Sequence, residues 1–207
     1  MPDTLKSRFL RSKAEKIRLH SLRMTTEAGS GHPTSALSSA EILSVLYFDQ
    51  MNFDPQHPDS YQGDDFVISK GHGCPGLYAA MKESGILKEE DLSTLRTFSS
   101  PVEGHPVPRL PGIRVATGSL GQGLSAGIGL AEAIKLDNMP SFVYVLLGDA
   151  EMAEGNIWEA IHFAPRRNMN NLTGIIDVNR RGQSGSTMYE WNTKAYKGLI
   201  ESACGHT

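Results

Sequence analysis

Phe142-Val143-Tyr144-Val145-Leu146-Leu147-Gly148-Asp149 is a run of aromatic, β-branched and aliphatic residues that closes on a glycine and an acid. Such a run, from Phe142 to Leu147, reads as a buried strand. A second run of the same kind extends from Leu172 to Val178 and is closed by Asn179. Between them Ile157 to Phe163 has helical periodicity, and Pro165 ends or kinks that helix because proline lacks the amide hydrogen the interior needs. Strand, helix, strand at this spacing requires a crossover, so the strands are parallel. The fold class that follows is α/β, a parallel sheet with helices on both faces. Asp149 and Asn179 then emerge at one carboxyl edge, where open α/β sheets bind their ligands.

Upstream, Phe66-Val67-Ile68 forms another buried strand that ends in Ser69-Lys70-Gly71-His72-Gly73 and feeds a helix around Leu77 to Lys82. Ser38-Ser39-Ala40-Glu41 has the capping-box pattern that opens an amphipathic helix through about Met51. Residues 99 to 123 carry Pro101, Pro106, Pro108, Pro111, Gly118, Gly121 and Gly123, which predicts an ordered loop. Loops of that length usually carry function. Small residues Ala126, Gly127, Gly129 and Ala131 mark a closely packed helix from about Leu120 to Lys135.

The first 24 residues hold Lys6, Arg8, Arg11, Lys13, Lys16, Arg18 and Arg23 against Asp3 and Glu15. That balance superficially resembles a transit peptide. Apolar Leu5, Phe9, Leu10, Ile17, Leu19 and Leu22 recur at roughly helical spacing, which predicts a surface helix instead. A net charge of −3 gives no basic surface for nucleic acid, and no apolar run reaches the roughly 20 residues of a membrane span. Cys74 and Cys204 show neither disulfide-framework nor zinc spacing, which fits a reducing, cytoplasmic compartment. At 207 residues the chain is read as one domain.

An ionised carboxylate and an amide oxygen are hard donors for a small divalent cation. Two of them leave coordination positions open for phosphate oxygens and water. Taken alone, however, Asp and Asn at strand ends are more often turn or capping residues. A lone histidine in a glycine-rich loop is likewise more often a hydrogen-bonded loop residue than a ligand.

Leu147-Gly148-Asp149-Ala150-Glu151-Met152-Ala153-Glu154-Gly155, with Asn179 thirty positions beyond Asp149, resembles the thiamine diphosphate motif of transketolases. Gly29-Ser30-Gly31-His32-Pro33-Thr34-Ser35, Ser69-Lys70-Gly71-His72-Gly73, Gly104-His105-Pro106, Ala116-Thr117-Gly118-Ser119-Leu120-Gly121-Gln122-Gly123 and Asn179-Arg180-Arg181-Gly182-Gln183-Ser184 extend the resemblance over nearly the whole chain. It implies a thiamine diphosphate held through magnesium, or through calcium or manganese. Asp149, Asn179 and the carbonyl of Arg181 would bind the metal. His72 and the backbone of Gly121, Gln122 and Gly123 would touch the diphosphate, beside Gly148, Ala150, Glu154 and Gln183. His32 and His105 would be catalytic, and His32, Ser35 and Lys70 would meet the sugar, with Lys70 anchoring a phosphate or positioning the neighbouring loop. Histidine suits such work because it donates to an oxyanion or moves a proton near neutral pH. Glu154 and Glu159 would lie near a dimer interface.

The implied activity is transferase chemistry of the pentose phosphate pathway, moving a two-carbon ketol unit from a ketose phosphate to an aldose phosphate. Ala150 replaces the usual glycine, and Arg181 replaces an aliphatic residue. The chain stops at Gly205-His206-Thr207, where the family continues into another strand and a pyrimidine-binding domain. The domain is therefore expected to be incomplete at its C-terminal end. Activity is expected to need that pyrimidine domain, within a homodimer or a hetero-assembly. Three alternatives stay open: an inactive cofactor-binding paralogue or fragment, a deoxyxylulose phosphate synthase, and an NAD-binding module. The last rests on Gly121, Gly123 and Ala126, which meet the loose GxGxxG/A pattern.

Overall fold

The computed structural model describes residues 4–204; Asp3 and the terminal Gly205-His206-Thr207, which enter the sequence reading, lie outside them. Where one domain is expected, the chain divides by its internal contacts into two compact units, residues 1–63 with 71–116 and residues 64–70 with 117–207.

The first unit is helical. Helix α1, Leu5–Glu27, starts at Thr4, whose side chain accepts from the Ser7 amide. Its buried stripe is Ala14, Ile17, His20, Ser21, Met24 and Thr25, while Leu5, Phe9, Leu19 and Leu22 are exposed. The helix is as expected, but its inward face is not the one that large apolar residues suggest. Ser21 and Thr25 go inside because their hydroxyls donate to the carbonyls of Ile17 and Ser21 at 2.7 and 2.8 Å, which removes the desolvation penalty.

The capping box does not form. Helix α2 runs Pro33–Ser38 with proline in its first turn, and α3 runs Ala40–Val45 before a π-helical turn, Leu46–Gln50. The Ser38 and Ser39 hydroxyls both donate back to the Ser35 carbonyl at 3.0 Å, and Ser39, at the N-cap of α3, makes no side-chain cap. Helix α4, Cys74–Ser84, is buried from Cys74 through Met81 and ends on Gly85 in the left-handed conformation. A single turn, α5, Glu89–Leu92, follows. The long loop is ordered: Arg114 donates to the carbonyls of Asp59 and Ser60, each at 3.0 Å, and Asp59 accepts from the Gly112 amide.

The second unit holds the sheet. Strands β1, Asp65–Ile68, β2, Val143–Gly148, and β3, Leu172–Asp177, lie in the order β1-β2-β3, all parallel, and are flanked by helices. Val143, Val145 and Leu146 are fully buried core, whereas Ile175 and Ile176, read as core, are half-buried on a strand paired on one side only. Helix α6, Gln122–Leu136, crosses the sheet so closely that a Cβ on Gly127 would lie 2.4 Å from Val145 Cγ2, which accounts for that glycine, whereas Gly129, also read as a packing residue, is exposed with open space around it. Helix α7, Gly155–Arg166, carries Pro165 in its last turn and ends one residue beyond it, as a residue without an amide hydrogen leads one to expect. Lys135 Nζ donates to the carbonyls of Arg167 and Asn168 just beyond it, at 2.9 and 3.0 Å. A final helix, α8, Thr193–Cys204, buries Tyr196 and is absent from the sequence reading. No helix among the described residues is long and apolar enough to cross a membrane.

Candidate cofactor and metal site

In the second unit the carboxyl ends of β1, β2 and β3 bring together Lys70, Asp149 and Asp177. Asp149 is 2% exposed. Its Oδ2 accepts from the Arg180 amide at 2.8 Å and from Thr187 Oγ1 at 2.7 Å. Its Oδ1 is buried and has no hydrogen-bond partner. A buried carboxylate oxygen left bare costs free energy, and a cation is the partner that would recover it. The loop that donates to Oδ2 is bent by Arg180, a non-glycine residue in the left-handed region with φ of 60°.

Asn179 is half-buried, and its Oδ1 accepts from the Arg181 amide at 2.9 Å. This turn fixes the amide group two residues from Asp177 and leaves the oxygen a second lone pair. The Arg181 side chain is exposed, so its charge is directed to water. Ala150 sits in a right-handed 3₁₀ turn, Ala150–Ala153, and needs none of the freedom that glycine would supply.

Lys70 is 1% exposed, and its ammonium is paired with Asp177. Burial drives its pKa down, against the pull of the Asp177 charge and hydrogen bond. Asp177 thus holds this ammonium within the unit, at the end of β1. The buried acids Asp149, Glu151 and Asp177 outnumber Lys70, and that excess of negative charge suits a divalent cation. Among the described residues no three His, Cys, Asp or Glu side chains are grouped to hold a metal. An Asp–Asn–carbonyl donor set needs no such group.

The amides of Gly121 and Gly123 have partners within the unit. The Gly121 amide donates to Glu151 Oε1 at 2.7 Å and the Gly123 amide to Ser69 Oγ at 3.1 Å, so both N–H groups are used within the unit rather than left for a diphosphate. Gly121 has φ of +93°, and a Cβ on Gly123 would sit 2.3 Å from Ser69 Oγ, so both positions demand glycine for packing and conformation. Gly148 is buried against the Lys70 stem, while Gln122, Glu154, Glu159 and Gln183 are exposed.

In the first unit His32 and His72 meet edge to face with ring centroids 5.2 Å apart. His32 lies exposed at the start of α2, Ser35 is buried in its first turns, and His72 is half-buried in the 3₁₀ turn Gly71–Gly73. His105 has its pKa lowered by burial of part of the ring and then by the Arg96 and His32 charges, which favours the neutral imidazole at neutral pH. Its loop is pinned from α4: Cys74 Sγ donates to the Gly104 carbonyl at 3.1 Å and Tyr78 Oη to the Glu103 carbonyl at 2.9 Å. Burial pushes the Cys74 thiol up to about 12, so it remains a donor.

Glu151, Thr187 and Asp177 line the candidate site and were passed over in the sequence reading. Asp177 could have been found, since it ends an apolar strand as Asp149 does. Thr187, 38 positions from Asp149, leaves no local pattern.

Fold and site together define a parallel α/β protein whose carboxyl edge offers hard oxygen donors and an uncompensated buried carboxylate. The family described as transketolase, thiamine diphosphate binding domain, matches residues 10–199, and the chain belongs to it. It is 48% identical to transketolase-like protein 2 of Bos taurus over 204 residues, 97% of this chain and 32% of that one. It is 41% identical over 178 residues to an apulose-4-phosphate transketolase subunit of Phocaeicola vulgatus, covering 86% of this chain and 63% of that one. The solved transketolase from Leishmania mexicana superposes with a TM-score of 0.86 at 30% identity, over 94% of this chain and 31% of that one. The chain thus spans about a third of the length of the Bos taurus and Leishmania mexicana proteins.

Proposed function

We propose that this chain binds thiamine diphosphate through a divalent cation, magnesium or alternatively calcium or manganese, held by Asp149, Asn179 and the Arg181 carbonyl. The observation that carries the reading is the bare, buried Oδ1 of Asp149 beside a fixed Asn179. The cofactor, when bound, supplies the thiazolium ring on which the family's ketol-transfer chemistry depends. The protein's part is to bind, orient and move protons. His72, Gly148, Ala150, Glu154 and Gln183 are proposed cofactor contacts. The Gly121–Gly123 turn is proposed to support them rather than to donate its two committed amides. His32 and His105 are proposed to act on the sugar phosphate, with Ser35 beside His32, and a neutral His105 suits proton transfer near pH 7.

Transfer of a two-carbon unit between sugar phosphates in the pentose phosphate pathway is proposed for the complete assembly, as a cytoplasmic homodimer or with a pyrimidine-binding partner chain. The second arrangement is supported by the Phocaeicola vulgatus relative, which is itself one subunit of a transketolase. The division into two units notwithstanding, one family description spans both, and we propose that they work as a single domain.

Titration calorimetry tests the reading. Thiamine diphosphate with magnesium should bind and NAD should not; binding of NAD alone would overturn it. Adding a separately expressed pyrimidine-binding partner should produce ketol transfer that the chain alone lacks. No gain in activity, with cofactor binding intact, would favour a non-catalytic paralogue.

A further inference from the structure

We propose that Glu151 is the positioning residue that pre-forms the ligand edge of the second unit. It stands at the centre of three chain segments that are far apart in sequence. Its Oε1 accepts from Ser69 Oγ and from the Gly121 amide at 2.7 Å, and its Oε2 accepts from the Gly148 amide at 3.1 Å. Ser69 in turn accepts from the Gly123 amide at 3.1 Å, so the turn after β1, the start of α6 and the end of β2 are tied to one carboxylate.

Glu151 is 1% exposed, and three donors satisfy the charge that burial would otherwise make costly. Gly148 is the residue before Asp149. Holding its amide therefore fixes the peptide from which the metal-facing carboxylate projects, while Arg180 and Thr187 fix the side chain itself. The clamp makes the edge rigid before any ligand arrives, which lowers the ordering cost of binding. Glutamine cannot reproduce it: a carboxamide has one oxygen, and its NH2 would face either the Gly148 amide or the Gly121 amide, donor against donor.

The inference deepens the proposed cofactor reading and rests on it for its ligand, but its first readout does not need the cofactor. In the ligand-free chain, amide hydrogen exchange followed by mass spectrometry should be about tenfold faster in E151Q at peptides holding Gly121–Gly123 and Gly148. Peptides inside β2 ahead of Gly148 should be unchanged. Calorimetry with thiamine diphosphate and magnesium, at a temperature where both proteins are fully folded, should show about tenfold weaker binding, with the loss in a less favourable entropy. A purely structural contact would lower the melting temperature without moving that entropy.

Should E151Q fail to fold, S69A decides: it removes the Ser69 bonds to Glu151 and Gly123 and leaves the Glu151 side chain in place, and faster exchange is expected at Gly121 and Gly148, which bond Glu151 and not Ser69, as well as at Gly123. Unchanged exchange in the folded variant overturns the inference, as does altered exchange with wild-type affinity and entropy. If the wild-type chain binds no thiamine diphosphate while E151Q exchanges faster, the clamp stands and the cofactor reading falls.

Discussion

Asp149 carries its chemistry in the inequality of its two oxygens: Oδ2 is saturated by Arg180 and Thr187, and Oδ1 is bare. Thr187→Val removes one hydrogen bond to a buried charge, a loss of about 1.5–3 kcal/mol. Magnesium-dependent cofactor affinity should fall about tenfold. An unchanged affinity in calorimetry would mean that Thr187 does not orient Asp149. Arg181→Leu gives the opposite expectation. Its side chain is exposed and the proposed metal contact is its carbonyl alone, so affinity in the same titration should change less than about threefold, as expected for a screened surface charge. Sequence made Asp149 and Asn179 legible because a strand-end residue is placed by the strand itself. The burial of Glu151 and Lys70 was not legible, because their partners come from other segments and nothing local announces that a charged side chain is buried.

Among the elements, the strands were read almost to the residue, since a continuous apolar run bounded by turn residues has few alternatives in a parallel sheet. The helices were less legible. The buried stripe of α1 contains Ser21 and Thr25, which satisfy their hydroxyls on their own helix and so pass for surface residues. Helix α8 does space Ala195, Tyr196, Leu199, Ile200 and Ala203 at helical intervals, a pattern the sequence reading passed over, and it buries Tyr196 alone among its residues. Close approach at the start of α6 leads to a further expectation. Gly123→Ala places a Cβ 2.3 Å from Ser69 Oγ and 2.6 Å from its Cα, so backbone must shift. A loss of about 1–3 kcal/mol is expected, read as a melting temperature lower by roughly 2–10 °C at this chain length. A melting temperature equal to wild type would show that the turn adapts freely.

At the scale of the whole molecule, each unit has its own source of stability. In the first, Glu83 receives hydrogen bonds from Lys13 at 3.0 Å and Lys82 at 3.1 Å and lies beside His20. Burial raises its pKa, but those two lysines outweigh it and bring the carboxyl to about 2 from an ordinary value of 4.5. A depressed folded pKa stabilises fully above 4.5, and that contribution is lost as pH falls toward 2. The stability gap between wild type and Glu83→Gln, from thermal melts, should therefore be widest above pH 4.5 and close between pH 4.5 and 2; a gap constant with pH would contradict this. In the second unit the corresponding ionic feature is the buried Lys70–Asp177 pair, beside the buried Asp149. The most direct test is calorimetry of thiamine diphosphate, with and without magnesium, on the wild-type chain and on Asp149→Asn. Binding that requires magnesium in the wild type, and is lost or weakened at least about 100-fold in the variant, is the expected result. Equal affinity in the two proteins, or wild-type binding indifferent to magnesium, would contradict the account.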